Sequence, residues 1–139
     1  QDRVLEVGTG SGYFAACLAK LARSVRSIEI VQELADTARA NLERNGVRSV
    51  TVECGDAMTL ADEAVYDVIA VTGSLPVYDP RFEHALVEGG RLFVTVGVGP
   101  VMDARKVTRT GRSDWSHESL FETRIEPLVN APRPPAFVF

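Results

Sequence analysis

The chain has 139 residues, room for one domain. Apolar residues make up 45% and charged residues 24%, the balance of a folded globular chain rather than a disordered one. With 15 basic against 19 acidic residues the net charge is −4, which carries no basic nucleic-acid footprint, and no apolar run approaches the roughly 18 residues of a membrane span.

In chain order, Arg3–Val7 reads as a first strand, reached almost at once and with no charged-then-apolar leader before it. Gly12–Ala22, rich in Ala and Leu, reads as a helix, and Val25–Ile30 as a second strand. From Val31 to Asn45 the stripe Val31, Leu34, Ala35, Ala38 and Leu42 falls at helical spacing. Glu33 and Asp36 near its start and Arg44 near its end suit the helix dipole, and Gly46 supplies a C′ stop. Val50–Cys54 and Asp67–Thr72 are the third and fourth strands, with a short helix or loop over Ala57–Ala64 between them. Pro80–Val87 is expected as a helix closed by Gly89-Gly90, and Arg91–Val96 as a fifth strand. Ala104–Thr110 and Ser119–Ile125 then read as strands joined around Thr110-Gly111-Arg112-Ser113. The tail from 127 to 139 carries four of the seven prolines and is expected to be irregular.

Alternating strands and helices imply a parallel sheet covered on both faces, a doubly wound, Rossmann-like α/β fold. The last two strands, with no helix between them, make an antiparallel appendage. In such sheets the ligand crevice lies beyond the C-terminal strand ends, at the switch point beside the first strand.

Four features fall at those strand ends. Glu6-Val7-Gly8-Thr9-Gly10-Ser11-Gly12 joins the first strand to the first helix. Its alternating glycines let the backbone turn sharply and approach a ligand. Tyr13 stands where a dinucleotide fingerprint has its third Gly, and no Lys follows as in a phosphate-binding P-loop. Glu29, ending the second strand, is placed to accept hydrogen bonds from ribose hydroxyls. Asp56, after the third strand, can accept an exocyclic amine of adenine, although Gly55-Asp56 is equally plain turn chemistry when read alone. Thr72-Gly73-Ser74, after the fourth strand, would wall the side where a ligand reacts.

Other residues carry less. Tyr13 and Phe14 are expected to be buried against the sheet. Cys17 and Cys54 lack a CxxC neighbour and are expected as small buried thiols, with no metal site. The absence of a disulfide framework favours a cytoplasmic setting. His84 and His117 have no evident partner and are expected to be structural or exposed.

The run Val4–Tyr13 together with Ser27-Ile28-Glu29-Ile30 resembles the class I S-adenosylmethionine-dependent methyltransferases, and in particular the protein-L-isoaspartate O-methyltransferases. The resemblance continues through Glu33-Leu34-Ala35, Ala40-Asn41-Leu42, Gly55-Asp56, Val71-Thr72, Gly89-Gly90-Arg91-Leu92 and Pro127-Leu128-Val129, nearly the whole chain. It implies one methyltransferase domain over residues 1–139 that transfers a methyl group to the isoaspartyl carboxylate of damaged proteins. The implied cofactor is S-adenosyl-L-methionine, with S-adenosyl-L-homocysteine as product. The implied partner is an isoaspartyl-containing peptide or protein, with no nucleic acid and no membrane.

By the same resemblance, the cofactor would rest on Glu6, Gly8, Thr9, Gly10, Ser11 and Gly12. Glu29 and Ile30 would meet the ribose, and Gly55, Asp56 and Ala57 the adenine. Thr72, Gly73 and Ser74 would form the catalytic, substrate-side wall, Thr72 also touching the cofactor. Pro127-Leu128-Val129 would help hold the peptide. Two departures are expected to matter. The family carries a helical, hydroxyl-bearing segment before the first strand, so the chain is read as lacking an N-terminal portion. The family also has small residues such as Ala-Ala after the strand-four Thr, where this chain has Gly73-Ser74-Leu75. These departures keep two further readings open: a methyltransferase of the same fold with another acceptor, and a cofactor-binding module inactive by itself.

Overall fold

A computed structural model describes residues 1–135. Seven strands form one sheet: β1 (Arg3–Val7), β2 (Ser24–Glu29), β3 (Val50–Cys54), β4 (Tyr66–Leu75), β5 (Leu86–Val96), β6 (Met102–Gly111) and β7 (Asp114–Thr123). The helices are α1 (Tyr13–Ala19), α2 (Gln32–Arg44) and α3 (Arg81–His84), with a single 3₁₀ turn at Ala57–Thr59.

The strand order is β3-β2-β1-β4-β5-β6-β7. Pairing is parallel from β3 across to β5, and β6 and β7 add on antiparallel. The chain winds outward from β1 to β3, then returns to the other side of β1 at β4. The carboxyl ends of β1 and β4 therefore flank the switch point where such sheets bind ligands.

Alternation along the strands sends Val4 and Val25 to one face, where they meet Ala15 of α1, and Val52 to Ala35, Ala38 and Leu42 of α2. Leu5, Val7, Ile28, Ile69, Val71, Leu92 and Val94 build the larger core on the other face, around Phe82 of α3 and Met58 of the 3₁₀ turn. α2 comes close to the sheet through alanines. Its expected stripe narrows to Ala35, Ala38 and Leu42, while Leu34 remains 43% exposed and Val31 is exposed as well.

The second half of the chain departs from expectation in three places. The helix expected over Pro80–Val87 is only Arg81–His84. Gly89-Gly90 lies inside β5, not at a helix stop: the register slips from Tyr66↔Leu86 to Val68↔Arg91 across it. Gly89 has φ +80, and a Cβ on Gly90 would stand 2.9 Å from Val87 O and 3.1 Å from Tyr66 O. The pair thus serves a bulge and a close backbone approach. The final hairpin is also tighter than expected, turning at Arg112-Ser113, so that β7 starts at Asp114 rather than Ser119 and ends at Thr123. The polar run Asp114–Glu118 conceals an edge strand with most residues exposed; Trp115 anchors it, its Nε1 donating to Glu83 O at 3.0 Å.

Four single residues are corrected too. Tyr13 (77% exposed) and Phe14 project from α1, which buries Ala15 instead. Cys17 and Cys54 are both exposed rather than buried. His117 is exposed, as expected, and its Nε2 lies 3.6 Å from Glu83 Oε2 of a distant element. The tail is irregular as far as 135, and its last four residues, 136–139, lie outside the described residues.

Candidate functional site

The loop after β1 is held open by its own backbone. Gly8 takes φ +97, Gly10 φ +54 and Gly12 φ +88, all in the left-handed region that favours glycine. Gly8 N–H donates to Ile28 O at 2.8 Å. Thr72 on β4 braces the loop from the other side: its hydroxyl is shared between Val7 O (2.7 Å) and Gly8 O (2.9 Å).

Glu29 closes the loop against β2. Its Oε1 accepts from Gly10 N–H at 2.9 Å and its Oε2 from Val31 N–H at 3.1 Å, with only 7% of the residue exposed. Each oxygen keeps acceptor capacity for a ligand hydroxyl. Beneath the loop, Thr9 Oγ1 and Ser27 Oγ are 2.6 Å apart, and Ser27 Oγ donates to Glu6 Oε1 at 2.5 Å. Glu6 is fully buried and its Oε2 has no partner among the described residues. Burial pushes its carboxyl up to about 7, opposed by the Ser27 hydrogen bond and assisted by the nearby charge of Glu29.

Beyond β3, Asp56 caps the 3₁₀ turn: its Oδ1 accepts from Met58 N–H at 2.8 Å. Its Oδ2 accepts from Asn130 Nδ2 at 2.9 Å, a residue of the C-terminal tail. That tail runs beside the end of β4, with Ser74 N–H donating to Glu126 O (2.8 Å) and Leu128 N–H to Ser74 O (2.9 Å). A Cβ at Gly73 would stand 2.5 Å from Leu128 Cδ2. The glycine in place of the expected Ala thus has a local packing reason.

These pieces surround one cavity of about 280 Å³. Of the expected residues, Gly8, Glu29, Ile30, Gly55, Asp56, Ala57, Thr72 and Gly73 line it, with Pro127, Leu128 and Val129 of the tail. Glu6 and Thr9 lie below it, buried, and Gly10 reaches it through Glu29. Ser11 and Gly12 line a separate groove between α1 and α2. Gly12 serves packing there, since a Cβ on it would stand 3.3 Å from Ala38. Ser74 is fully buried behind the wall, its hydroxyl donating to Ile125 O. The sequence pattern did not single out Val31, Met58 and Glu126 of the lining, or Asn130. Only Met58 carried a signal, two residues after the capping Asp56.

This set of acceptors and bare backbone suits a nucleoside joined to an amino acid. There is bare glycine backbone for close approach, a carboxylate at the end of β2 for vicinal hydroxyls and a second carboxylate after β3 for an amine donor. Among the described residues there is no cluster of three or more His, Cys, Asp or Glu able to hold a metal, and no helix is long and apolar enough to cross a membrane.

Relatives share this arrangement of sequence and fold. The family model for protein-L-isoaspartate(D-aspartate) O-methyltransferase matches residues 1–132. A protein-L-isoaspartate O-methyltransferase of Koribacter versatilis is 43% identical over 129 residues, covering 92% of this chain and 58% of that protein. One from Methanoculleus marisnigri is 47% identical over 113 residues, covering 80% of this chain and 51% of its own. The chain thus spans little more than half the length of these curated relatives. A solved protein-L-isoaspartate O-methyltransferase superposes with a TM-score of 0.80 at 30% identity, over 91% of this chain and 41% of that one. A Plasmodium falciparum protein solved in complex with S-adenosyl-L-homocysteine superposes at 0.79, with 20% identity, over 91% of this chain and 65% of its own.

Proposed function

The chain belongs to the protein-L-isoaspartate O-methyltransferase family, and from that premise we propose that its cavity binds S-adenosyl-L-methionine and directs methyl transfer to an isoaspartyl α-carboxylate. The observation that carries the reading is the convergence of Gly8, Glu29 and Asp56 on one cavity at the switch point. The solved relative with S-adenosyl-L-homocysteine supports the cofactor class.

When bound, S-adenosyl-L-methionine would supply a methyl carbon activated by a positively charged sulfur, a group that a carboxylate oxygen can take directly. A peptide α-carboxylate, with a pKa of roughly 3.5, is already ionised at neutral pH, so no general base is required of the protein. What the residues contribute is position, which in well-oriented reactions can supply roughly 7–11 kcal/mol of the barrier. Gly8 and Gly10 would present backbone to the amino-acid end of the cofactor. Glu29 would hold the ribose and Asp56 the adenine. Thr72 fixes the loop, and Gly73 with Pro127 and Leu128 would form the acceptor-facing wall. Ser74 acts from behind, by anchoring the tail.

The test has two parts. Calorimetry should show binding of S-adenosyl-L-homocysteine to the protein, and no binding would sink the reading. Methyl transfer should then favour an isoaspartyl peptide over its normal aspartyl twin. Equal transfer to both, or transfer only to a different acceptor, would assign the chain another substrate.

A further inference from the structure

We propose that Asn130 is a positioning residue that aims the Asp56 carboxylate at the cofactor's adenine and couples the C-terminal tail to cofactor occupancy. The proposal rests on the reading of the cavity as an S-adenosyl-L-methionine site. Asn130 has φ +67, a left-handed conformation unusual for any residue but glycine and least costly for Asn. In that conformation its amide spans to a residue 74 positions earlier, donating from Nδ2 to Asp56 Oδ2 at 2.9 Å. Because Met58 N–H already holds Oδ1 at 2.8 Å, the two bonds fix the plane of the carboxylate from both ends. A carboxylate oxygen accepts more than one hydrogen bond, so Oδ2 stays open to a donor from the cavity that Asp56 lines. An exocyclic amine is such a donor, and a carbonyl oxygen in its place would be repelled.

The other end of the tail is anchored independently. Ser74 pairs with Glu126 and Leu128 beside β4, and Ala131 is buried in the main core. Residues 126–129 line the cavity from the β4 side, while 55–58 line it from the β3 side. Asn130 is the hydrogen-bonded link between the two sides. A ligand that fixes Asp56 therefore stabilises the tail, and by reciprocity whatever orders the tail tightens the ligand.

Asn130→Ala and Asn130→Gly separate the amide from the backbone. Glycine keeps the left-handed conformation without the Cβ penalty that alanine meets there, and both lack the donor, so both variants should lose ligand discrimination while alanine alone also loses stability. Affinity for S-adenosyl-L-homocysteine should fall about tenfold, the size of a lost hydrogen bond to a charged group. The sharper readout compares S-adenosyl-L-homocysteine with S-inosyl-L-homocysteine, in which a carbonyl replaces the amine. The wild-type protein should discriminate strongly, and the ratio should shrink in both variants. In hydrogen exchange, S-adenosyl-L-homocysteine should protect the Leu128 and Ala131 amides in the wild type and protect them less in either variant. A purely structural tail residue would weaken both ligands equally and leave the ratio unchanged, which would overturn the proposal, as would a glycine variant that behaves as wild type. If the wild-type protein binds neither ligand, both the proposal and the cofactor reading fail. Binding with an unaltered ratio in the variants defeats the proposal alone.

Discussion

Thr72 Oγ1 stands where a side chain at position 8 would begin, and from there it donates to the carbonyls of Val7 and Gly8. The hydroxyl and the missing side chain are one device. The first glycine is required less by the ligand than by the strand-four residue that braces the loop. Gly8→Ala should therefore incur two costs: the left-handed φ, on the order of 1–3 kcal/mol, and displacement of the Thr72 hydroxyl from two carbonyls, about 1–3 kcal/mol. Thermal unfolding should show a clear fall in Tm, and calorimetry at least a tenfold (~1.4 kcal/mol) loss of S-adenosyl-L-homocysteine affinity. Gly8→Ala/Thr72→Ala relieves the overlap but keeps the strained φ and still lacks the Thr72 hydrogen bonds, so it should remain less stable than the wild type. Wild-type Tm and affinity in the single variant would disprove the interlock.

Gly73 and Leu128 make a second interlock, on the β4 side of the cavity. A Cβ at 73 would stand 2.5 Å from Leu128 Cδ2 and 3.3 Å from Leu128 N, so the leucine must turn away and the tail must shift. Gly73→Ala should cost on the order of 1 kcal/mol, at the low end of overpacking. Leu128→Ala removes the obstacle. The double variant should then be more stable than the sum of the single effects allows, a coupling readable in a double-mutant cycle by urea denaturation. Strict additivity would show that the two side chains do not compete for one space.

How much of this was legible beforehand follows from the range of the interactions. The first half of the fold reads well because its signals are local: apolar runs, α2 with its C′ Gly46, and glycines at the end of β1. The residues expected at the strand ends, Gly8, Glu29, Gly55 and Asp56, do meet in one cavity, because a parallel sheet brings successive strand ends to the same edge. Gly89-Gly90 misled because a bulge and a helix stop use the same residue type. The first half of β7, Asp114–Glu118, hid because an edge strand exposed on nearly every residue has no apolar period to read. The use made of the Thr72 and Ser74 hydroxyls, and the reach of Asn130, depend on partners more than 50 positions away. No local pattern encodes such contacts.

Glu29 offers a test of how the carboxylate works. It accepts from Gly10 N–H with one oxygen and Val31 N–H with the other. Glu29→Gln keeps the shape but turns one acceptor into a donor facing an N–H. The unliganded protein should lose about 1–3 kcal/mol of stability from the mispaired group. Affinity for S-adenosyl-L-homocysteine should fall by at least about tenfold, through the distorted loop and the loss of the acceptor that we propose for the ribose. Calorimetry and chemical denaturation on the same variant read the two effects separately. An unchanged denaturation midpoint with weakened binding would assign Glu29 to the ligand alone.

Glu6 sets a pH dependence opposite to that of an ordinary surface carboxylate. Its value rises from 4.5 to about 7 in the fold, chiefly because burial strips it of water. The unpaired Oε2 is the atom with least to offset that loss. When protonated, the carboxyl can itself donate to Ser27, which then donates to Thr9, so the chain of hydroxyls survives with its direction reversed. Below about pH 4.5 both folded and unfolded chains hold the proton, and Glu6 adds no penalty. Between 4.5 and 7 the folded chain binds a proton that the unfolded one has released, so stability falls as pH rises. Above 7 the loss is complete, at ~3 kcal/mol for a shift of this size. Glu6→Gln, neutral throughout, should flatten this part of the profile in chemical denaturation from pH 5 to 8.5. It should match the wild type near pH 5 and exceed it at pH 8. Parallel profiles for the two proteins would mean that Glu6 enters the fold already ionised.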